Sequence, residues 1–213
     1  MLPLPRCFPL TAVMVLEISA CAPPGGAPAR WTDPRDGYAY RVVTIGGAEW
    51  FAENLRYRTA DSRCYEGDEA NCADHGRLYR LADALAACPA GWRVPSEEDW
   101  RGLELALGMP EGDLAKDRGR GDPLARRLKI GGDTGFDVKY SGWISPHRAD
   151  SSVAMGRAAA FWTSTPGLPD DVSATAWHRD VAAHRNVIWR SPVNVTYWLS
   201  VRCVRDLPGE RAA

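Results

Sequence analysis

The residues of this chain able to do chemistry are its histidines, its cysteines and a set of tryptophan–arginine pairs toward the C-terminal end. The four histidines are His75, His147, His178 and His184, and no two share a metal-ligand spacing on one helix. His178 and His184 fall near a strand pair and its turn, where they could face each other, although surface histidines are the simpler reading. No Gly-x-Ser-x-Gly elbow occurs, so nucleophilic catalysis has no support. In Ala176-Trp177-His178-Arg179-Asp180, strand alternation puts Trp177 and Arg179 on one face and His178 and Asp180 on the other. In Ile188-Trp189-Arg190, Trp189 opposes its two neighbours. Some of these side chains must face out, where Trp and Arg supply stacking and hydrogen bonds to sugar or protein ligands. The expected ligand surface is therefore Trp177, Arg179, Trp189 and Arg190, with register deciding which face is solvated.

The six cysteines are Cys7, Cys21, Cys64, Cys72, Cys88 and Cys203. Cys7 belongs to a leader and Cys21 is assigned to lipid, which leaves an even number in an exported chain and implies two disulfides. Three connectivities are open. A local Cys64–Cys72 bridge around the polar loop YEGDEAN is the simplest, and Cys88 would then pair with Cys203. Zinc is a poor alternative, because four sulfur ligands want CxxC-type pairs.

Residues 1–20 read as a secretory signal: Arg6 supplies a positive charge and Phe8 to Leu16 is mostly apolar, with small residues before Cys21. Ile18-Ser19-Ala20-Cys21 resembles the bacterial lipobox, in which the Cys thiol is acylated. Residues 21–32 form a Pro/Gly tether, 33–206 a single domain and 207–213 a polar tail. The expected location is the cell envelope, lipid-anchored, and the outer membrane if the host is Gram-negative.

With 45% hydrophobic and 25% charged residues the chain has a globular profile. Its formal net charge of -1 offers no basic field, which argues against nucleic acid as a partner. No run of 18 apolar residues exists to span a bilayer.

The elements that must position these residues follow from periodicity. Tyr38–Ile45 alternates as a strand, Gly46-Gly47 turns, and AEWFAENL returns. Residues 57–75 are a polar excursion. Leu78–Cys88 has helical spacing, and a second helix begins at Ser96, with Asp99 close to a capping box and Trp100, Leu103 and Leu107 in one stripe. Residues 109–156 lack clear periodicity apart from a helical turn in LARRLKI. Strands follow over 158–165, 173–181, 186–191 and 197–206. This order implies α+β with an antiparallel sheet, two helices and a long irregular loop. Trp50, Trp92, Trp100, Trp162 and Trp198 are the candidate core tryptophans.

The blocks DPRDGYAYRVVTIGGAEWFAENLRY, CYEGDEANCADHGRLYRLADALAACPAGWRVPSEEDWRGLE, GFDVKYSGW, AAAFWTST and SVRCVRD resemble the Fibrobacter succinogenes major paralogous domain, from about Asp33 to Asp206. That family is similar in pattern to the C-type lectin-like fold, in which a long bridge joins the first helix to the last strand, in agreement with a Cys88–Cys203 pairing. This chain departs around 112–142, where many relatives carry a longer Gly-rich loop. The calcium-dependent sugar site of many C-type lectins needs Glu-Pro-Asn or Gln-Pro-Asp and Trp-Asn-Asp, and neither is present; the nearest fragments are Pro169-Asp170-Asp171 and Trp177-His178-Arg179. Glu66, Asp68 and Glu69 read as a solvated turn. Formylglycine-generating enzymes share the fold but need a redox cysteine pair near the C-terminus, where only Cys203 lies. The expectation is a non-catalytic, lectin-like binding or adhesion lipoprotein for a glycan or surface protein, with no metal or cofactor and membrane contact through its lipid. The rivals are a structural envelope component without a specific ligand, and an enzyme, which a buried carboxylate or His converging in a cleft would favour.

Overall fold

The computed structural model describes residues 29–148, 151–168 and 173–207. The leader, Cys21, most of the tether, Pro169-Asp170-Asp171 and the end of the polar tail lie outside them. Strands β1 (Arg30–Thr32), β2 (Ala39–Ile45), β3 (Ala48–Phe51) and β10 (Val204–Asp206) form one antiparallel sheet in the order β1-β2-β3-β10. The β2–β3 hairpin turns at Gly46-Gly47, both at positive φ, as a two-residue turn requires. Gly46 is needed for a second reason: a Cβ there would meet the Gly102 carbonyl oxygen at 2.5 Å.

The second sheet has the order β4-β9-β8-β7-β5-β6, from β4 (Arg118–Arg120), β5 (Ser141–Ser145), β6 (Ser151–Met155), β7 (Ala158–Pro166), β8 (Thr175–Ala182) and β9 (Ile188–Asn194). Its pairs are antiparallel except β5 with β7. Residues 158–163 of β7 are buried without a break. AAAFWT reads as a near-continuous apolar run because the sheet is covered on both faces. One core gathers Tyr40, Phe51, Tyr79, Trp92, Trp162 and Leu199, the other Trp50, Trp100, Leu103, Phe136 and Phe161. All five candidate core tryptophans are buried. At about 25 cal/mol per Å², a buried aromatic of roughly 200 Å² contributes on the order of 5 kcal/mol before entropy is counted.

The mixed α and antiparallel β composition holds, and several boundaries move. Five α-helices, not two, occur among the described residues: α1 (Glu69–His75), α2 (Leu81–Ala87), α3 (Glu97–Ala106), α4 (Glu111–Leu114) and α5 (Ala125–Leu128). The Ser96/Asp99 capping box opens α3. Glu66, Asp68 and Glu69 are exposed as expected, and helix α1 starts at the last of them: Asp68 caps it by accepting from the Ala70 N–H, and the Cys64–Cys72 disulfide clamps it. Helix α2 starts at Leu81 because Leu78 and Tyr79 are taken by bridges to Arg63 and Leu199. Residues 109–156 are not one irregular loop; they hold two short helices and three short strands. The segment 197–206 is not one strand. Trp198 bonds Ile144, Ser200 bonds Ala160 and Trp162, and Leu199 on the opposite edge bonds Tyr79, before the chain crosses to pair Val204 with Trp50. Arg202 sits fully buried at that crossing, bonded to Asn54 Oδ1 at 2.7 Å and to the Phe51, Phe136 and Asp137 carbonyls. Burial first, then the Arg41 charge, pushes its pKa down to about 9. Both expected disulfides are formed, Cys88–Cys203 joining the end of α2 to the approach to β10. No helix among the described residues is long and apolar enough to cross a membrane.

Candidate ligand-binding site

The pairing of β8 decides the face of every late-strand residue. Arg179 lies opposite Phe161 on β7 and Arg190 on β9, so these three side chains share a face. Asp180 lies opposite Ala160 and Trp189, and His178 opposite Trp162 and Ser191, on the other face.

The Arg179 face meets α3. Glu97 and Glu104 are seven residues apart, two helical turns, and so stand on one side of α3. Arg179 Nε donates to Glu104 Oε1 at 2.7 Å, and Arg179 Nη1 donates to Glu97 Oε1. Arg190 Nε donates to Glu97 Oε2 at 2.6 Å, and its Nη1 to Asp117. Arg120 Nη2 donates to both Glu104 oxygens, at 2.8 and 2.6 Å. Arg190 also lies 3.5 Å over the Trp177 ring. Three guanidinium groups meet three carboxylates, so formal charge balances; Glu97 and Glu104 are buried and Asp117 meets solvent at the edge of the cluster. Burial alone would raise the Glu97 pKa, but the Arg179 charge and the hydrogen bonds from Arg179 and Arg190 hold it below its usual value.

This corrects the expected surface. Trp177, Arg179 and Arg190 are buried, and Trp189 stands half-buried on the opposite face with Arg185 4.9 Å over its ring. The four residues form no common exposed patch. Sequence reasoning missed Glu97 and Glu104. Their seven-residue spacing around Trp100 and Leu103 was the available signal, overridden because carboxylates are almost never fully buried unless paired.

The other face opens into a cleft of about 200 Å³. His178 and Asp180 enter it from β8, Val193 from β9, Trp143 from β5 and Tyr197 from the closing segment. His178 Nδ1 lies 2.7 Å from the Ser191 carbonyl oxygen, which can only accept. Nδ1 therefore carries the proton, and Nε2 is left with its lone pair. Burial pushes the His178 pKa down to about 4, so the ring is neutral at pH 7. Asp180 Oδ1 accepts from Arg185 Nη2 at 3.2 Å. Burial pushes its carboxyl up, against the opposing charges of Arg185 and His184. The His147 ring stacks edge-on against Tyr197 at 5.5 Å. The cleft thus offers two aromatic walls, one nitrogen acceptor and one carboxyl. His184 is not among its lining residues.

Cys64, Glu69 and Cys72 gather within 4.8 Å of one another, but the two sulfurs are bonded together, which removes them as metal ligands.

A family model described as the Fibrobacter succinogenes major domain matches residues 43–205. The chain belongs to that family. The match runs from β2 to β10, so the Fibrobacter major domain contains both the arginine–carboxylate cluster and the cleft. No curated protein and no solved structure matches the chain.

Proposed function

We propose that this Fibrobacter major domain is the binding head of an exported lipoprotein, and that its cleft holds one ring of a glycan. The observation that carries this reading is the convergence of Trp143, Tyr197, His178 and Asp180 on one cleft. Aromatic walls stack on the apolar face of a sugar ring, and a nitrogen acceptor with a carboxyl fixes its hydroxyls. A cavity of about 150 Å³ takes benzene; at about 200 Å³ the cleft suits one six-membered ring with substituents. Supporting a C-type lectin-like class, the Cys88–Cys203 bridge joins a helix end to the last strand region. Supporting display from an anchor, β1 and β10 lie together in the sheet that lacks the cleft. A Pro/Gly-rich stretch precedes β1 in the sequence and would separate a lipid on Cys21 from the domain.

One specific observation favours enzyme chemistry: a carboxyl with raised pKa beside a neutral histidine. Glycoside hydrolysis, however, works through a pair of carboxyl groups, and among the described residues Asp180 is the one carboxyl lining the cleft. Binding is the better-supported role. A glycan array with the full chain and its Asp180→Asn variant tests it. Wild-type binding lost in the variant supports the cleft; release of reducing sugar from the bound glycan would favour the enzyme. A fatty-acid probe should label the wild type and not Cys21→Ser.

A further inference from the structure

An open cavity of about 720 Å³ lies apart from the cleft. Trp143 lines the cleft and Ile144 lines this basin, and successive residues of β5 point to opposite faces of the sheet. Cys64, joined to Cys72 by a disulfide, lines the basin, and at its lip the Glu66 N–H donates to Ser152 Oγ at 2.8 Å.

Its charges are arranged asymmetrically. Arg77 is 5% exposed, and its Nη2 donates to Glu69 Oε2 at 2.6 Å. Arg58 Nη1 stands 3.8 Å from the other oxygen, Glu69 Oε1. Two guanidinium groups therefore share one carboxylate, and that carboxylate is itself 62% exposed and displaceable. Arg63 lies 4.1 Å over the Trp198 ring at the same wall. Ser151 and Ser152 add hydroxyls, Ser62 Oγ being taken up by the Thr59 backbone, and the exposed Glu66 adds an acceptor at the lip.

We propose that this basin binds an acidic sugar, a hexuronate-bearing oligosaccharide, with its carboxylate on Arg58 and Arg77 in place of Glu69. The planar guanidinium fork matches a carboxylate bidentately, and the serines and Glu66 match ring hydroxyls. A volume in the ~300–1,000 Å³ range of drug-sized sites accommodates a few rings rather than one. This site stands independently of the cleft reading.

The test is calorimetric titration of the full, oxidised chain with trigalacturonate, with its methyl ester, and with a sugar phosphate. The acid should bind at least tenfold more tightly than the neutral ester and more tightly than the phosphate. Arg58→Gln, at a side chain 76% exposed and so safe for folding, should weaken the acid five- to tenfold and leave the ester unchanged. Glu69→Gln should tighten the acid severalfold, because the internal competitor loses its charge. Because Arg58 lines the basin and not the cleft, the loss in Arg58→Gln locates the acid in the basin. Equal affinity for acid and ester, preference for the phosphate, no binding of the acid, or weakening by Glu69→Gln would each overturn the proposal.

Discussion

Trp177 and Arg179 point toward α3, and His178 and Asp180 point away from it, along four consecutive residues of β8. On the α3 side every charge has a partner: Arg179, Arg190 and Arg120 are matched by Glu97, Glu104 and Asp117. On the cleft side His178 keeps one ring nitrogen uncommitted, and Asp180 meets a single cation at 3.2 Å. Polar residues on the two faces thus have different uses. Paired charges fix a helix onto a sheet even though Arg120 Nε and Arg179 Nη2 are left without a hydrogen-bond partner, whereas an uncommitted ring nitrogen in a cleft leaves capacity for a ligand. Glu97 and Asp180 are equally buried, but Glu97 has two guanidinium partners and Asp180 one, which is why burial prevails in the Asp180 pKa and is outweighed in that of Glu97.

The comparison is broken most severely at Glu104. Glu104→Ala leaves Arg120 and Arg179 buried without that carboxylate and should cost about 3–5 kcal/mol, read from urea denaturation. A loss under 1 kcal/mol would mean the cluster does not hold α3.

His178 sharpens the contrast through pH. Its folded pKa is about 4 and its unfolded value about 6.5, so the unfolded chain binds more protons between these values. The contribution of this group is present above pH 6.5 and lost as pH falls toward 4, with a slope of at most about 1.4 kcal/mol per pH unit. His178→Gln should flatten urea midpoints over that window. Glu97, held low, contributes stability above its ordinary value of 4.5 that is lost as pH falls through its folded pKa. That acid limb should survive in the His178 variant.

Asp180→Asn should have the smallest effect on stability. The carboxyl is raised, so its contribution is present at low pH and lost as pH rises through the folded pKa. Removing the charge should raise the melting temperature slightly at pH 7 and leave it unchanged near pH 3.

Much of this was legible in the sequence where the signal is local. The Gly46-Gly47 hairpin, the Ser96/Asp99 capping box and the helical turn in LARRLKI each rest on a few adjacent residues. The cysteine pairing followed because a local bridge around YEGDEAN left one partner each for Cys88 and Cys203. Helix α1 was hidden because its seven residues, EANCADH, are too few to show an apolar stripe, and a cap plus a disulfide make it. Strands β5 and β6 were hidden because each is five residues long, and β5 joins β7 only in parallel. The alternation in Trp177–Asp180 was correct, yet it could not say which face met α3. That depended on Glu97 and Glu104, some eighty residues away in sequence.

The most direct test of the division between the two faces is two-dimensional NMR of the full chain, titrated with the glycan that binds best on the array. The account predicts perturbations at Trp143, His178, Asp180, Val193 and Tyr197, with the Arg179 and Arg190 side-chain resonances unmoved. Perturbations centred on Trp177, Arg179 and Arg190, with the cleft unmoved, would contradict it.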